Sequence, residues 1–147
     1  MIQLSLGCGR NKEENFIGLD YIDYSWNKIW SAGNTMPFDN DSVDFIKGYN
    51  FFEHLRSEEI ITTLNECHRV LKLKGILEFI VPDAINNLAL AISDITHKSL
   101  WSIGTFKYLT GEKPQNADYG IRSWKIIKLE NYQKEPRCIF AQLTPNK

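Results

Sequence analysis

Ile2, Leu4 and Leu6 alternate with the polar Gln3 and Ser5, and the pattern stops at Gly7-Cys8-Gly9. A period of two predicts a strand. Paired glycines at its end let the backbone turn sharply and let a ligand approach with no Cβ in the way. A second short apolar run, Phe16 to Leu19, ends on Asp20, and the polar residues 10–15 between the two runs are too few for a full helix. Residues 28–32 are a candidate short strand, and turn clusters follow at 33–35 and 39–42. Val43 to Tyr49 is the next strand; it runs into Asn50-Phe51-Phe52-Glu53-His54-Leu55, where polar groups gather at its carboxyl end.

The pattern then lengthens. Ile60, Leu64, Cys67 and Leu71 recur at helical spacing, which predicts a helix over 57–73. Ser57 is its expected N-cap, Glu58 and Glu59 suit the first turn, and Gly75 is the expected C-cap. Residues 76–81 are apolar on both faces, as an interior parallel strand requires. Residues 84–95 follow a helical pattern, 102–109 form a further short helix, and 110–120 read as loop. Two last strand-like runs, 121–130 and 137–144, are joined by 131–136 tightly enough for an antiparallel hairpin. Strands alternating with helices and closed by a hairpin give an open, mostly parallel α/β sheet with reduced helices, in one domain spanning 1–147.

Composition narrows the function classes. A net charge of −1 removes any global electrostatic case for nucleic acid or an anionic membrane. The longest apolar runs, such as Leu88 to Ile92, are far too short to span a bilayer. The chain opens directly into a strand with no basic segment and apolar stretch before it, so secretion is not expected. Cys8, Cys67 and Cys138 are odd in number and widely spaced, which favours reduced thiols in a cytoplasmic setting over disulfides or structural zinc.

A carboxylate at the end of the second strand can take both hydroxyls of a ribose, so the first twenty residues point to a nucleoside-containing cofactor. Without a helix after Gly9 the dipole argument for a pyrophosphate is weak, and a ligand without phosphates suits the gap better. His54, beside Glu53 just past the fourth strand, is a candidate general base or acceptor contact. The competing reading is a histidine that caps the next helix or packs beneath the loop, with Glu53 as its orienting or loop-fixing partner. Cys67 and His68 lie on a helix and read as packing or solvated face. His97 and Asp83 fall near the expected cleft. Trp26, Trp30 and Trp101 suit core or partner-surface packing as well as shielding a cofactor or seating an acceptor.

The ordered set LSLGCGR, FIGLD, MPFDNDSVDFI, FFEHL and HRVLKLKGILEFIVPD resembles the class I S-adenosylmethionine-dependent methyltransferases, in particular a small bacterial branch. It covers roughly Ile2 to Asp83. The resemblance implies a Rossmann-like sheet and S-adenosylmethionine as cofactor. It also implies that Gly7, Cys8 and Gly9 wrap the methionyl part, Asp20 binds the ribose, and Tyr21 flanks the adenine. Asn34 stands where the family usually has an aspartate on the adenine amino group, and Tyr49 and Asn50 lie beside the methionine moiety. The chain departs from the family at Leu73-Lys74-Gly75, where Pro-Gly-Gly is usual, and in a shortened second half.

Methyl transfer is an in-line displacement from a sulfonium, and positioning supplies much of the acceleration, so no nucleophile–base triad is needed. No Asn-Pro-Pro-aromatic tetrapeptide is present, which disfavours adenine and glutamine amide acceptors. The expected reaction is methyl transfer to a small molecule or glycan-type metabolite. The rival is a catalytically reduced cofactor-binding or partner subunit, with an exposed apolar surface including Trp101 and Phe106 and an oligomeric assembly. A nicotinamide-dependent oxidoreductase is a third reading, disfavoured by the missing helix.

Overall fold

The computed structural model describes residues 1–132 and 137–147. Its strands are Gln3–Leu6 (β1), Ile17–Asp20 (β2), Lys28–Ile29 (β3), Val43–Tyr49 (β4), Leu71–Pro82 (β5), Trp124–Tyr132 (β6) and Cys138–Pro145 (β7). They form one sheet in the order β3-β2-β1-β4-β5-β7-β6. The pairs among β1 to β5 are parallel, whereas β7 runs antiparallel to both β5 and β6. The expected hairpin is therefore present, with its second strand inserted between β5 and β6. Its connection, expected at 131–136, lies mostly outside the described residues.

Burial follows from position in the sheet. β1 sits between β2 and β4, and Leu4, Ser5 and Leu6 are all buried. Both faces of a central parallel strand are covered, so its alternation no longer sorts core from solvent. Gly18 in β2 is required by packing: a Cβ there would stand 2.5 Å from the Trp26 ring and 2.7 Å from the Cys8 sulfur. Residues 10–16 form no helix; the Lys47 ammonium holds this segment, paired with Glu13 and lying 4.3 Å from the centroid of the Phe16 ring.

The helix Ser57–Val70 (α1) buries Thr63, Leu64, Cys67, His68 and Val70. Two expectations are corrected here. Arg56, with extended backbone, takes the N-cap position instead of Ser57, and Glu59 reaches back to accept its N–H at 2.7 Å. Gly75 is not a C-cap: Leu71 has turned extended and pairs with Val43, while Phe45 pairs with Ile76, so the intervening residues bulge out of β5. A Cβ on Gly75 would meet the Leu71 side chain at 2.8 Å and the Val43 carbonyl oxygen at 3.1 Å, which explains the glycine.

The helix expected over 84–95 shrinks to Leu88–Ser93 (α2). The buried Asp83 carboxylate accepts N–H bonds from Ile85 and Asn86 and the Asn86 side-chain amide, and Asn87 caps α2 through Leu90 N–H. These short polar side chains hold the backbone in a turn where the apolar spacing alone reads as helix. A 3₁₀ helix, Ile103–Tyr108, follows, and then one α-turn, Gln115–Asp118 (α3), inside the expected loop.

Trp101 and Phe106 are 3% and 0% exposed, so they are core residues and form no part of the exposed apolar surface that the rival reading expects. Phe79 of β5 stacks on Phe106 at 5.6 Å and meets Phe52 at 4.8 Å, and Trp101 closes the group at 5.7 Å from Phe79. Each buried ring contributes about 1.5–3 kcal/mol by removal from water, so this cluster anchors the segment after β5 to the sheet. Trp30 and Trp124 are also core residues. Among the described residues, no helix is long and apolar enough to cross a membrane.

Candidate cofactor and acceptor site

The carboxyl ends of β1 and β2 meet at a turn built by Gly7 and Gly9. Both glycines have left-handed backbone, with φ of +59° and +56°, a region that costs other residues roughly 1–2 kcal/mol. Gly7 N–H bonds the Leu19 carbonyl at 2.9 Å, extending the β1–β2 ladder. Gly9 N–H donates to Asp20 Oδ2 at 3.0 Å, and Ile22 N–H to Asp20 Oδ1 at 3.0 Å. A carboxylate offers about four lone-pair sites, so Asp20 fixes the loop and keeps acceptor capacity for a ligand. A Cβ on Gly9 would meet nothing within 4 Å, so the space over it is open; one on Gly7 would strike the Phe51 ring at 2.5 Å. An open cradle beside a loop-fixing carboxylate fits a cofactor with ribose and methionyl parts. Gly9 N–H is already bonded and no helix follows, so the loop is not a pyrophosphate nest.

The remaining residues expected at the cofactor stand around the same end of the sheet or on the loops beyond it. Cys8 is buried, and burial together with the Asp20 charge pushes its thiol up to about 11; it is a neutral packing group, not a nucleophile. Tyr21 follows Asp20 directly and is 72% exposed, presenting an open ring. Asn34, on the loop after β3, is exposed; its amide N–H bonds the Ser31 carbonyl at 3.2 Å, and its backbone carbonyl accepts the Trp30 indole N–H. Tyr49 ends β4 and its hydroxyl bonds Glu78; Asn50 follows with a φ of +50°, which asparagine tolerates better than most residues.

Past Asn50 the chain turns through a 3₁₀ helix, Phe52–His54, and here lies the chemistry that the linear pattern hid. His54 and His97 meet edge to face with ring centroids 4.8 Å apart. Thr96 Oγ1 lies 2.9 Å from His54 Nδ1 and 2.6 Å from Asp94 Oδ1. Glu53 is buried, burial pushes its carboxyl up to about 7, and its Oε2 has no hydrogen-bond partner among the described residues. Its backbone carbonyl holds the returning segment through Lys98 and Ser99 N–H at 2.8 and 3.1 Å. Burial, with the neighbouring His97 charge, lowers the His54 pKa, so its imidazole is neutral at pH 7. Neither Asp94 nor Thr96 was legible as a partner, because their spacing from His54 carries no periodic signal. Asp83 holds a turn, and His68 packs on Trp124 inside the core.

A groove of about 440 Å³ lined by Ile2, Met36, Phe38, Ser42 and Arg69 opens at the opposite, amino-terminal ends of β1 and β4. Strands of four to seven residues separate it from the glycine turn, so it is not part of this site.

The methyltransferase domain family matches residues 4–79, just over half of the chain. A search of the curated proteins finds no match. Among solved structures, a SAM-dependent methyltransferase from Archaeoglobus fulgidus is 20% identical, covering 97% of this chain and 85% of its own with a TM-score of 0.69. The Burkholderia thailandensis 1,6-didemethyltoxoflavin-N1-methyltransferase, bound to its substrate and S-adenosylhomocysteine, is 10% identical over 99% and 71%, also at 0.69. A complex formed with the Haloferax volcanii Trm112 methyltransferase activator matches at 14% identity over 98% and 82%, with a TM-score of 0.64. At such identities these likenesses speak to the fold, and the sequence match speaks to the family. The chain belongs to the methyltransferase domain family, of the class I S-adenosylmethionine-dependent type.

Proposed function

We propose that this chain, as a single domain, transfers the methyl group of S-adenosylmethionine to a small-molecule or glycan-type acceptor. The observation that carries this reading is the Asp20 carboxylate bonded to Gly9 N–H across the ends of adjacent central strands. It joins a glycine cradle to a ribose-binding group in one rigid unit. Gly7, Cys8 and Gly9 line the methionyl part through their backbone, Asp20 takes the ribose hydroxyls with its remaining lone pairs, and Tyr21 flanks the adenine. Asn34 Oδ1 accepts from the adenine amino group, while Tyr49 and Asn50 border the methionine moiety. When bound, the cofactor supplies an electrophilic methyl on a sulfonium.

The chain's own contribution is positioning. Where the acceptor loses a proton, the neutral imidazole of His54 takes it, held by Thr96 and Asp94. The three free cysteines suit the cytoplasmic setting proposed for it. Calorimetric titration with S-adenosylmethionine and S-adenosylhomocysteine tests the reading. Saturable binding followed by methylation of a member of a small-molecule and glycan panel supports it; absence of cofactor binding overturns it.

A second reading, a subunit that works with a partner, is favoured by the segment after β5. Ile85, Leu88, Ile92, Ile95 and Leu100 are 77%, 51%, 59%, 98% and 57% exposed there, where a substrate lid would sit. Leu88 and Ile92 share one face of α2. Light scattering separates the readings: a monomer that methylates unaided sets this one aside.

A further inference from the structure

We propose that Glu53, His54 and His97 form a binding site for a divalent ion of the zinc class. One donor atom from each residue lies within 4.8 Å of the other two. Donors around a tetrahedral zinc stand about 3.4 Å apart, given ligand distances of about 2.0–2.2 Å, and rotation about side-chain bonds closes that difference. Two imidazoles and one carboxylate are a set that zinc accepts with an open fourth position.

The hydrogen bonds around the two rings favour metal binding. The Ala91 carbonyl only accepts, so its 2.8 Å contact with His97 Nδ1 puts the proton on that nitrogen. The short bond from Thr96 Oγ1 to Asp94 Oδ1 uses the threonine proton, so Thr96 accepts the Nδ1 proton of His54. In the neutral form of either ring Nε2 is then the nitrogen with a free electron pair, the tautomer that outer-shell partners impose on ligating histidines. Asp94 Oδ2, 3.9 Å from His97 Nε2, adds a second carboxylate at the rim.

An independent observation is Glu53. It is 2% exposed, yet among the described residues its Oε2 has no hydrogen-bond partner. A buried carboxylate oxygen left unpaired is costly, and a cation between it and the two rings satisfies it. His54 cannot hold the ion and accept a proton through the same electron pair. A bound ion would be held by Glu53, His54 and His97 and would supply Lewis acidity at its open position, where a hydroxyl ligand would lose its proton to solvent instead of to His54. The site rests on donor geometry and stands whether or not the methyl-transfer reading does.

Calorimetric titration of the cofactor-free protein with Zn²⁺ tests the proposal, with His97→Ala, Glu53→Gln and Thr96→Val as variants and Cys138→Ser as control. One ion per chain is expected. Loss of at least about tenfold in affinity is expected for each of the three variants, since even outer-shell changes cost 10–100-fold, with no change in the control. Melting curves of the metal-free variants confirm folding; should Glu53→Gln unfold, His97→Ala and Thr96→Val carry the test. No Zn²⁺ binding by the wild type, or binding unaltered in those two, overturns the site and leaves Glu53 a protonated packing group. Zinc binding without S-adenosylmethionine binding sinks the methyl-transfer reading alone, and the reverse sinks the metal site alone.

Discussion

Asp20 Oδ2 accepts the Gly9 N–H at 3.0 Å, so the group expected to hold the ribose also holds the loop that would embrace the rest of the cofactor. Its replacement therefore acts twice. Asp20→Ala removes a charged hydrogen-bonding partner from the ligand, a loss of about 1.5–3 kcal/mol, or roughly tenfold or more in affinity. It also frees the Gly9 and Ile22 amides. Calorimetry with S-adenosylhomocysteine is expected to show the affinity loss, and scanning calorimetry a lower melting temperature. Unchanged affinity would remove Asp20 from the site.

Gly7 and Gly9 share a backbone conformation but not an environment, and alanine separates the two consequences. At Gly7 the new Cβ meets the Phe51 ring at 2.5 Å, on a left-handed φ of +59°. Gly7→Ala is expected to cost about 1–3 kcal/mol of stability, read from denaturant unfolding. Gly9→Ala meets nothing within 4 Å, so only the backbone cost of about 1–2 kcal/mol remains. Its larger effect is expected on cofactor affinity, because its Cβ enters the cradle. Equal effects on stability and binding at both positions would refute the distinction.

How much of this was legible beforehand depended on whether the cause was local. β4 runs from Val43 to Tyr49 as the apolar pattern indicates, and β2 ends on Asp20, because turn residues bound both runs. The glycine loop and the sheet class followed from the same local signals. Gly75 did not, because its reason is the Val43 carbonyl on a neighbouring strand. The short α2 and the inward-facing Trp101 and Phe106 depend on Asp83 and on Phe79 of β5, contacts that no spacing encodes. At the candidate site His54 stood out as a residue, but its pairing with His97 is made by the chain's return after β5.

His68 makes stability pH-dependent. Its Nε2 lies 3.1 Å from the Ser123 carbonyl, so that nitrogen carries the proton; Nδ1 is buried without a hydrogen-bond partner among the described residues, and the ring stands edge-on to Trp124 at 5.2 Å. Burial, aided by the Arg122 and Lys147 charges, lowers its pKa in the folded state. The unfolded chain, with an ordinary histidine pKa of about 6.5, then binds the proton more readily than the folded one. The stability this neutral ring confers is complete above about pH 6.5 and is lost as pH falls through the lower folded value. Melting temperatures between pH 5 and 8 are expected to fall on the acid side in the wild type and less steeply in His68→Gln. Parallel profiles would assign the acid loss to other groups.

Phe106 tests whether the shortened second half is an integral part of the fold. It lies on a 3₁₀ helix too short to be stable by itself, yet it is fully buried, stacked on Phe79 at 5.6 Å and 5.9 Å from Trp101. Removing such a ring leaves a cavity that relaxes only in part, at about 3–5 kcal/mol. Because Trp101 bridges to Asp83 at the end of β5, the loss is expected to spread to the turn that leads into α2. Phe106→Ala should therefore raise amide hydrogen exchange across residues 84–109 while leaving β1 and β2 protected. Cofactor affinity should change little, since Gly7, Gly9 and Asp20 belong to the other half of the sheet. Were the variant as stable as the wild type, the segment would be an appendage, and the His97 it carries could not be held against His54.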